Sequence, residues 1–165
     1  MSRNEHFGFS YEVVLCDAQG NELSREIVRN LVPDEGLAYY QSAALVGGPQ
    51  TTRWYYGLYT NNFTPVGSET AKLLPAMAVE FMGYEGEFRQ EVAIQAQTNT
   101  VYGTGDSPLV LRATADATVY GGFISSARTK ASTTGFLISV VRFDTPKLLS
   151  VGSTLTINVI QDITK

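Results

Sequence analysis

Apolar residues recur at every second position over long stretches of this chain, a period that builds strands and is incompatible with an amphipathic helix. Phe7, Phe9, Tyr11, Val13 and Leu15 share one parity, while Gly8, Ser10 and Glu12 take the other. The cleanest alternation lies near the C-terminal end, where Leu155, Ile157, Val159 and Ile163 fall on one face and Thr154, Thr156, Asn158 and Asp162 on the opposite one. A strand of this kind belongs in an antiparallel sheet with one side in the core and the other in water. Leu109, Leu111 and Ala113 repeat the pattern, as do Val92, Ile94 and Ala96 against Glu91, Ala93, Gln95 and Gln97. Further strands are expected near residues 119–125 and 135–143.

Between these segments the chain is punctuated. Asp17-Ala18-Gln19-Gly20-Asn21 supplies residues that tolerate a tight turn, so residues 23–29 return as the second strand of a hairpin. Pro33, Asp34 and Glu35 suit the first turn of a helix, and Leu37, Tyr40, Ala44 and Leu45 continue it at helical spacing until Gly47-Gly48-Pro49 stops it. In Trp54-Tyr55-Tyr56-Gly57-Leu58-Tyr59 large side chains occupy both parities, which predicts a central strand covered on both faces. Ser68 can cap a short helical turn that ends at Pro75. Roughly eight strands and too few helices for βαβ crossovers give a mainly β fold: an antiparallel β-sandwich, jelly-roll-like, with one or two short helices and an N-terminal hairpin. All 165 residues suit a single domain. The hairpin and helix at about 7–47 are the parts expected to project from it.

Composition narrows the functional classes. The net charge is −4, and Arg89, Arg112, Arg128, Lys130, Arg142 and Lys147 are scattered, which disfavours direct nucleic-acid binding. Cys16 is the sole cysteine, so no intrachain disulfide forms. No stretch resembles a secretory signal or a membrane span, and synthesis in the cytoplasm is expected. His6 is the single histidine, set in a polar N-terminal segment and read as a solvated residue; no zinc site, cofactor or histidine-dependent triad is expected around it. Glu85, Glu87 and Glu91 share strand parity, as paired glycosidase carboxylates would, although a charged, soluble sheet edge explains them better. Asp17, Gln19 and Asn21 lack the downstream glutamate of a calcium loop, and a hairpin turn accounts for them. Asn62-Phe63-Thr64 fits a glycosylation sequon, but with no secretory signal expected the match is read as coincidence. The expectation is a noncatalytic protein.

Most of the nine Tyr, eight Phe and one Trp are expected in the core. Phe63, Tyr84 and Tyr102 stand beside glycines or in expected loops and are the candidates for contact with a partner. The stretch 11–61, with Asn30-Leu31-Val32, Glu35-Gly36-Leu37 and Trp54-Tyr55-Tyr56-Gly57-Leu58-Tyr59, resembles small structural proteins of tailed bacteriophages. The resemblance continues more loosely through Thr118-Val119-Tyr120-Gly121-Gly122-Phe123-Ile124 and from Arg142-Phe143 to Val151-Gly152-Ser153-Thr154-Leu155-Thr156-Ile157. It implies a virion structural protein: a capsid cement or decoration protein on the outer capsid surface, binding the major capsid protein and forming a homo-oligomer, dimer or trimer. A tail or fibre-associated protein that recognises the host surface is the alternative.

Overall fold

The computed structural model describes residues 6–98 and 101–164, apart from the side chains of His6 and of residues 162–164. The expectations for the His6, Asp162 and Ile163 side chains fall outside the described residues. The remaining strand expectations converge on two antiparallel sheets, a β-sandwich. In the first, β1 (His6–Cys16) lies between β2 (Glu22–Arg29) and β11 (Thr154–Thr164), and it pairs with β11 over its entire length. The far edge of β11 is shared: β8 (Leu109–Arg112) takes Thr154 to Ile157, and β7 (Val101–Gly103) takes Ile160 to Asp162, with β6 (Gln95–Ala96) outside β7. The second sheet repeats this plan. β10 (Leu137–Leu149), β9 (Ala117–Ser125) and β3 (Tyr55–Tyr59) run side by side, and β3's far edge is divided between β4 (Glu80–Phe81) and β5 (Gln90–Glu91).

The N-terminal hairpin does not project. Tyr11 and Val13 of β1 are fully buried, because the alternation of β1 needs the core face that only incorporation in the sheet provides. Between the sheets, Tyr11, Val13, Leu155, Ile157 and Val159 meet Tyr56, Leu58, Ile124 and Val141 in one cluster. A second, smaller cluster covers the opposite side of the second sheet. There Tyr59, Phe123, Leu137 and Val140 are capped by Ala71, Leu74 and Ala78 of the connection that follows β3. All five residues of β3 are consequently buried, as the two-sided aromatic pattern predicts, and Trp54 sits just before the strand, half-buried against Tyr39.

Glycines make this aromatic packing feasible. Gly57 lies opposite Phe123 and Gly121 opposite Tyr59, and each ring spreads over the surface that a Cβ would occupy. Tyr59 reaches across Gly121 to donate its hydroxyl hydrogen to the Val141 carbonyl at 3.1 Å.

The helix α1 (Asp34–Leu45) follows β2. Pro33 stands one residue before it, and the Val46 and Gly48 N–H groups return to the Ser42 carbonyl at its end, with Gly47 at φ 68°. Gly36 brings α1 within van der Waals reach of the β10 backbone, a Cβ there standing 3.0 Å from Ile138 Cα. The turn after Ser68 differs from expectation. Thr70, rather than Ser68, receives the N–H of Leu73, and Pro75 opens a π-helical turn, Pro75–Val79, instead of ending a helix. A proline lacks only a donor, and a first turn leaves that donor unused.

Two further departures concern strand limits. The stretch 91–96 divides between sheets, β5 pairing with β3 and β6 with β7, while Val92 enters the core where the chain crosses over. β10 extends to Leu149 through Pro146, which the ladder accommodates by a register shift between Arg142 and Lys147.

Polar groups tie the layers together inside the sandwich. Ser139 is fully buried in β10, its Oγ 2.5 Å from the Tyr11 hydroxyl and accepting from Asn30 Nδ2 at 2.8 Å. Asn30 Oδ1 in turn accepts from the Phe9 N–H at 2.7 Å. Replacing Ser139 by Ala strands a buried phenol and one amide hydrogen, and should lower unfolding stability by about 2 kcal/mol in urea titrations. A Tyr11→Phe/Ser139→Ala double variant should recover part of that loss, since the phenolic hydroxyl is then no longer left unpaired.

Candidate functional site

The three aromatic candidates take three different positions. Tyr84 is buried, contrary to the expectation of exposure: its ring packs against Phe81, and the Lys130 ammonium sits 3.6 Å from its centroid. That ammonium also donates to the carbonyls of Met82, Tyr84 and Gly86, folding the loop over the ring, and burial pushes the Tyr84 phenol upward. Neighbouring glycines here mark a tightly wrapped loop. Phe63 is half-buried on Tyr59, and Arg142 fixes its surroundings by donating to the Phe63 carbonyl and to Asn62 Oδ1. Tyr102 alone of the three is exposed, in β7.

The glutamates disperse. Glu85 and Glu87 lie in the loop between residues 84 and 88, so the common strand parity does not exist in space. Glu85 faces Arg112 at 3.6 Å, and Glu91 faces Arg53 at 3.9 Å. Among the described residues no group of three or more His, Cys, Asp and Glu side chains is placed to hold a metal ion.

Asp17 has a local task. Its Oδ1 accepts from the N–H groups of Gln19 and Asn21, and its Oδ2 from Asn21 Nδ2, closing the β1–β2 turn. These bonds, first the Asn21 side chain, hold the carboxyl below its ordinary value of 3.8. A lowered folded-state pKa contributes stability above the unfolded value and loses it as pH falls through the folded value. The urea-midpoint difference between the wild type and Asp17→Ala should therefore be constant at neutral pH and shrink below about pH 4. A difference that stays flat down to pH 2 would contradict this role.

Buried charge marks the sequence's least visible feature. Glu80 and Arg89 form a bidentate pair at 2.8 and 2.7 Å, both side chains almost wholly enclosed. Arg89 Nη1 donates to the Ala127 carbonyl, and the Ala131 N–H donates to Glu80 Oε2 at 2.7 Å. A second joint lies where β10 approaches β2: buried Lys147 stands 3.1 Å from Glu26 Oε1, and the Thr145 N–H donates to Glu26 Oε2.

An exposed apolar surface lies on α1 and the residue after it. Leu37, Ala44 and Leu45, with Tyr40 and Phe7, line an open groove of about 370 Å³, and Leu45 and Val46 are 79 and 78 % exposed. Phe7 meets Tyr40 edge to face at 4.9 Å, so β1 supplies one wall and the helix the other. Large aliphatic side chains at the end of α1 offer apolar area to a partner. In sequence they read as the buried stripe of a helix, and only the placement of Tyr39 and Gly36 toward the sandwich shows which side is left over.

Fold and surface together define a two-sheet β-sandwich with the helix α1 packed on β10 and apolar side chains of that helix left exposed. No family model, curated protein or solved structure matches the chain.

Proposed function

We propose that this protein is a noncatalytic structural component of a tailed-bacteriophage virion, a cement protein that binds the major capsid protein on the outer capsid surface. The observation that carries the reading is the apolar groove of α1 and β1, with Leu45 and Val46 presented to solvent. The stretch that resembles phage structural proteins, 11–61, contains that helix. A cement protein bridges shell subunits through many copies of a modest contact, and a groove of this size supplies such a contact without chemistry. The Glu26–Lys147 joint between β2 and β10 links the two sheets, as suits a part that bears load.

Cosedimentation with expanded capsids lacking the protein tests this directly. Saturation at an integral number per capsomer, with a raised capsid melting temperature, is the expected result. Leu45→Asp/Val46→Asp should weaken binding at least tenfold, about 1.4 kcal/mol or more, while leaving the protein's own melting unchanged, because both side chains are exposed. Failure of the wild type to bind competent capsids would move the protein to the tail or to host recognition.

A further inference from the structure

A second concavity, of about 360 Å³, lies on the outer face of the first sheet, away from α1. Gly103-Thr104-Gly105 runs along its floor, Gly103 packed so closely on β11 that a Cβ would stand 2.4 Å from the Val159 carbonyl oxygen, and its walls are Glu12 of β1, Asn158 of β11 and Gln97. We propose that this groove binds a neutral saccharide.

The polar side chains are organised before any ligand arrives. Arg25 donates to Glu12 Oε1, and Asn158 Nδ2 donates to Glu12 Oε2 at 3.1 Å. Thr104, itself buried, accepts the Val159 N–H at 3.0 Å and stands 3.5 Å from Asn158 Oδ1. The chain of contacts fixes a carboxylate and an amide side by side, each with hydrogen-bonding capacity to spare: carboxylate lone pairs at Glu12 and the second amide hydrogen of Asn158. Adjacent hydroxyls of a sugar, each both donor and acceptor, match that pair. Gln97 supplies an amide at the opposite wall, its Nε2 held 3.4 Å from the Gln95 and Gly103 carbonyls and its side chain lying over Gly105, which leaves its Oε1 as the acceptor for a ligand. Val101 and the exposed Ile160 offer apolar surface to the C–H face of a ring.

Other ligand classes fit less well. Arg25, the cation in contact with the groove's Glu12, is already paired with Glu12 and Glu22 and is not free for phosphate or sulfate. A single carboxylate provides too little charge for a divalent cation. The volume is at the lower end of the range for small-molecule sites, enough for a small saccharide.

The test is a ¹⁵N–¹H NMR titration with methyl α-glucoside, methyl α-galactoside, N-acetylglucosamine and inorganic phosphate, each added separately. At least one saccharide should give saturable shifts at Gly103, Gly105 and the Gln97 and Asn158 side-chain amides, with a dissociation constant on the order of 1 mM. Phosphate should give none. Asn158→Ala and, as a shape-preserving second variant, Glu12→Gln should each weaken binding at least tenfold with melting temperature unchanged. Absence of saturable shifts with all three sugars, shifts with phosphate alone, or undiminished saccharide binding in both variants would overturn the assignment. No capsid enters the experiment, so its outcome is independent of the cement reading.

Discussion

Arg89→Ala should destabilise the protein by about 3–5 kcal/mol, a large part of what a domain of this kind possesses. The substitution removes both guanidinium hydrogen bonds to Glu80 and leaves that carboxylate enclosed, with the Ala131 N–H as its remaining partner. It also frees the Ala127 carbonyl and uncovers Phe123, whose ring lies 4.9 Å from the guanidinium carbon. The surrounding backbone is not relaxed: Val79, immediately before Glu80, and Ala131, its donor, have φ of 56° and 58°. Both left-handed conformations are costly for residues with a Cβ, and the ion pair holds the two segments that contain them. Urea unfolding supplies the measurement. A Glu80→Met/Arg89→Met double variant should be markedly more stable than Arg89→Ala, because no charge is then left buried alone. A single variant within about 1 kcal/mol of wild type would show that the pair is dispensable.

Gly121→Ala should cost about 3 kcal/mol or more, for a reason that has nothing to do with conformational freedom. An added Cβ would stand 2.1 Å from the Val141 carbonyl oxygen and 2.3 Å from the Tyr59 hydroxyl. The first contact is with backbone of the neighbouring strand, and the second with a ring that is fully buried, so neither gives way cheaply. Tyr59 would also lose its bond to Val141, leaving a phenol unpaired in the outer cluster. Gly20→Ala is the internal comparison. That residue has φ 87° but nothing within 4 Å of the added carbon, so its penalty is the left-handed backbone alone, about 1–2 kcal/mol. Thermal or urea unfolding of the two variants separates the mechanisms: equal losses would mean that the ring-over-glycine packing contributes little.

The parts legible in sequence were those whose signal is local. The alternation of β1 and β11, the Asp17–Asn21 turn, the start of α1 and the two-sided aromatic run of β3 each occupy a continuous stretch, and each forms as its pattern requires. Val92, Ile94 and Ala96 misled because alternation records which side a residue faces and not which sheet it joins; the chain changes sheets at that point. Pro75 was ambiguous in principle, since the same missing donor ends one helix and opens another. Glu80 and Arg89 are nine residues apart with no helical or strand relation, so no local pattern marks them as a pair, and only the folded loop brings them together. The candidate sites show the same limit. Tyr102 is exposed in strand β7, whereas Tyr84 is covered by Lys130, a residue 46 positions away along the chain. Glu12, Gln97 and Asn158 come from three distant segments, and nothing in any one of them announces a groove.

The pairing of β1 with β11 sets an order of events during synthesis. On the edge of β1 turned away from β2, eleven residues find their partners among residues 154–164. Until that last strand has left the ribosome, the β1–β2 hairpin carries one open edge and an uncovered row of Phe9, Tyr11, Val13 and Leu15. Contacts of such long sequence separation also slow the search for the native state. Before residues 154–164 are available, the hairpin is therefore vulnerable to strand exchange and chaperone capture.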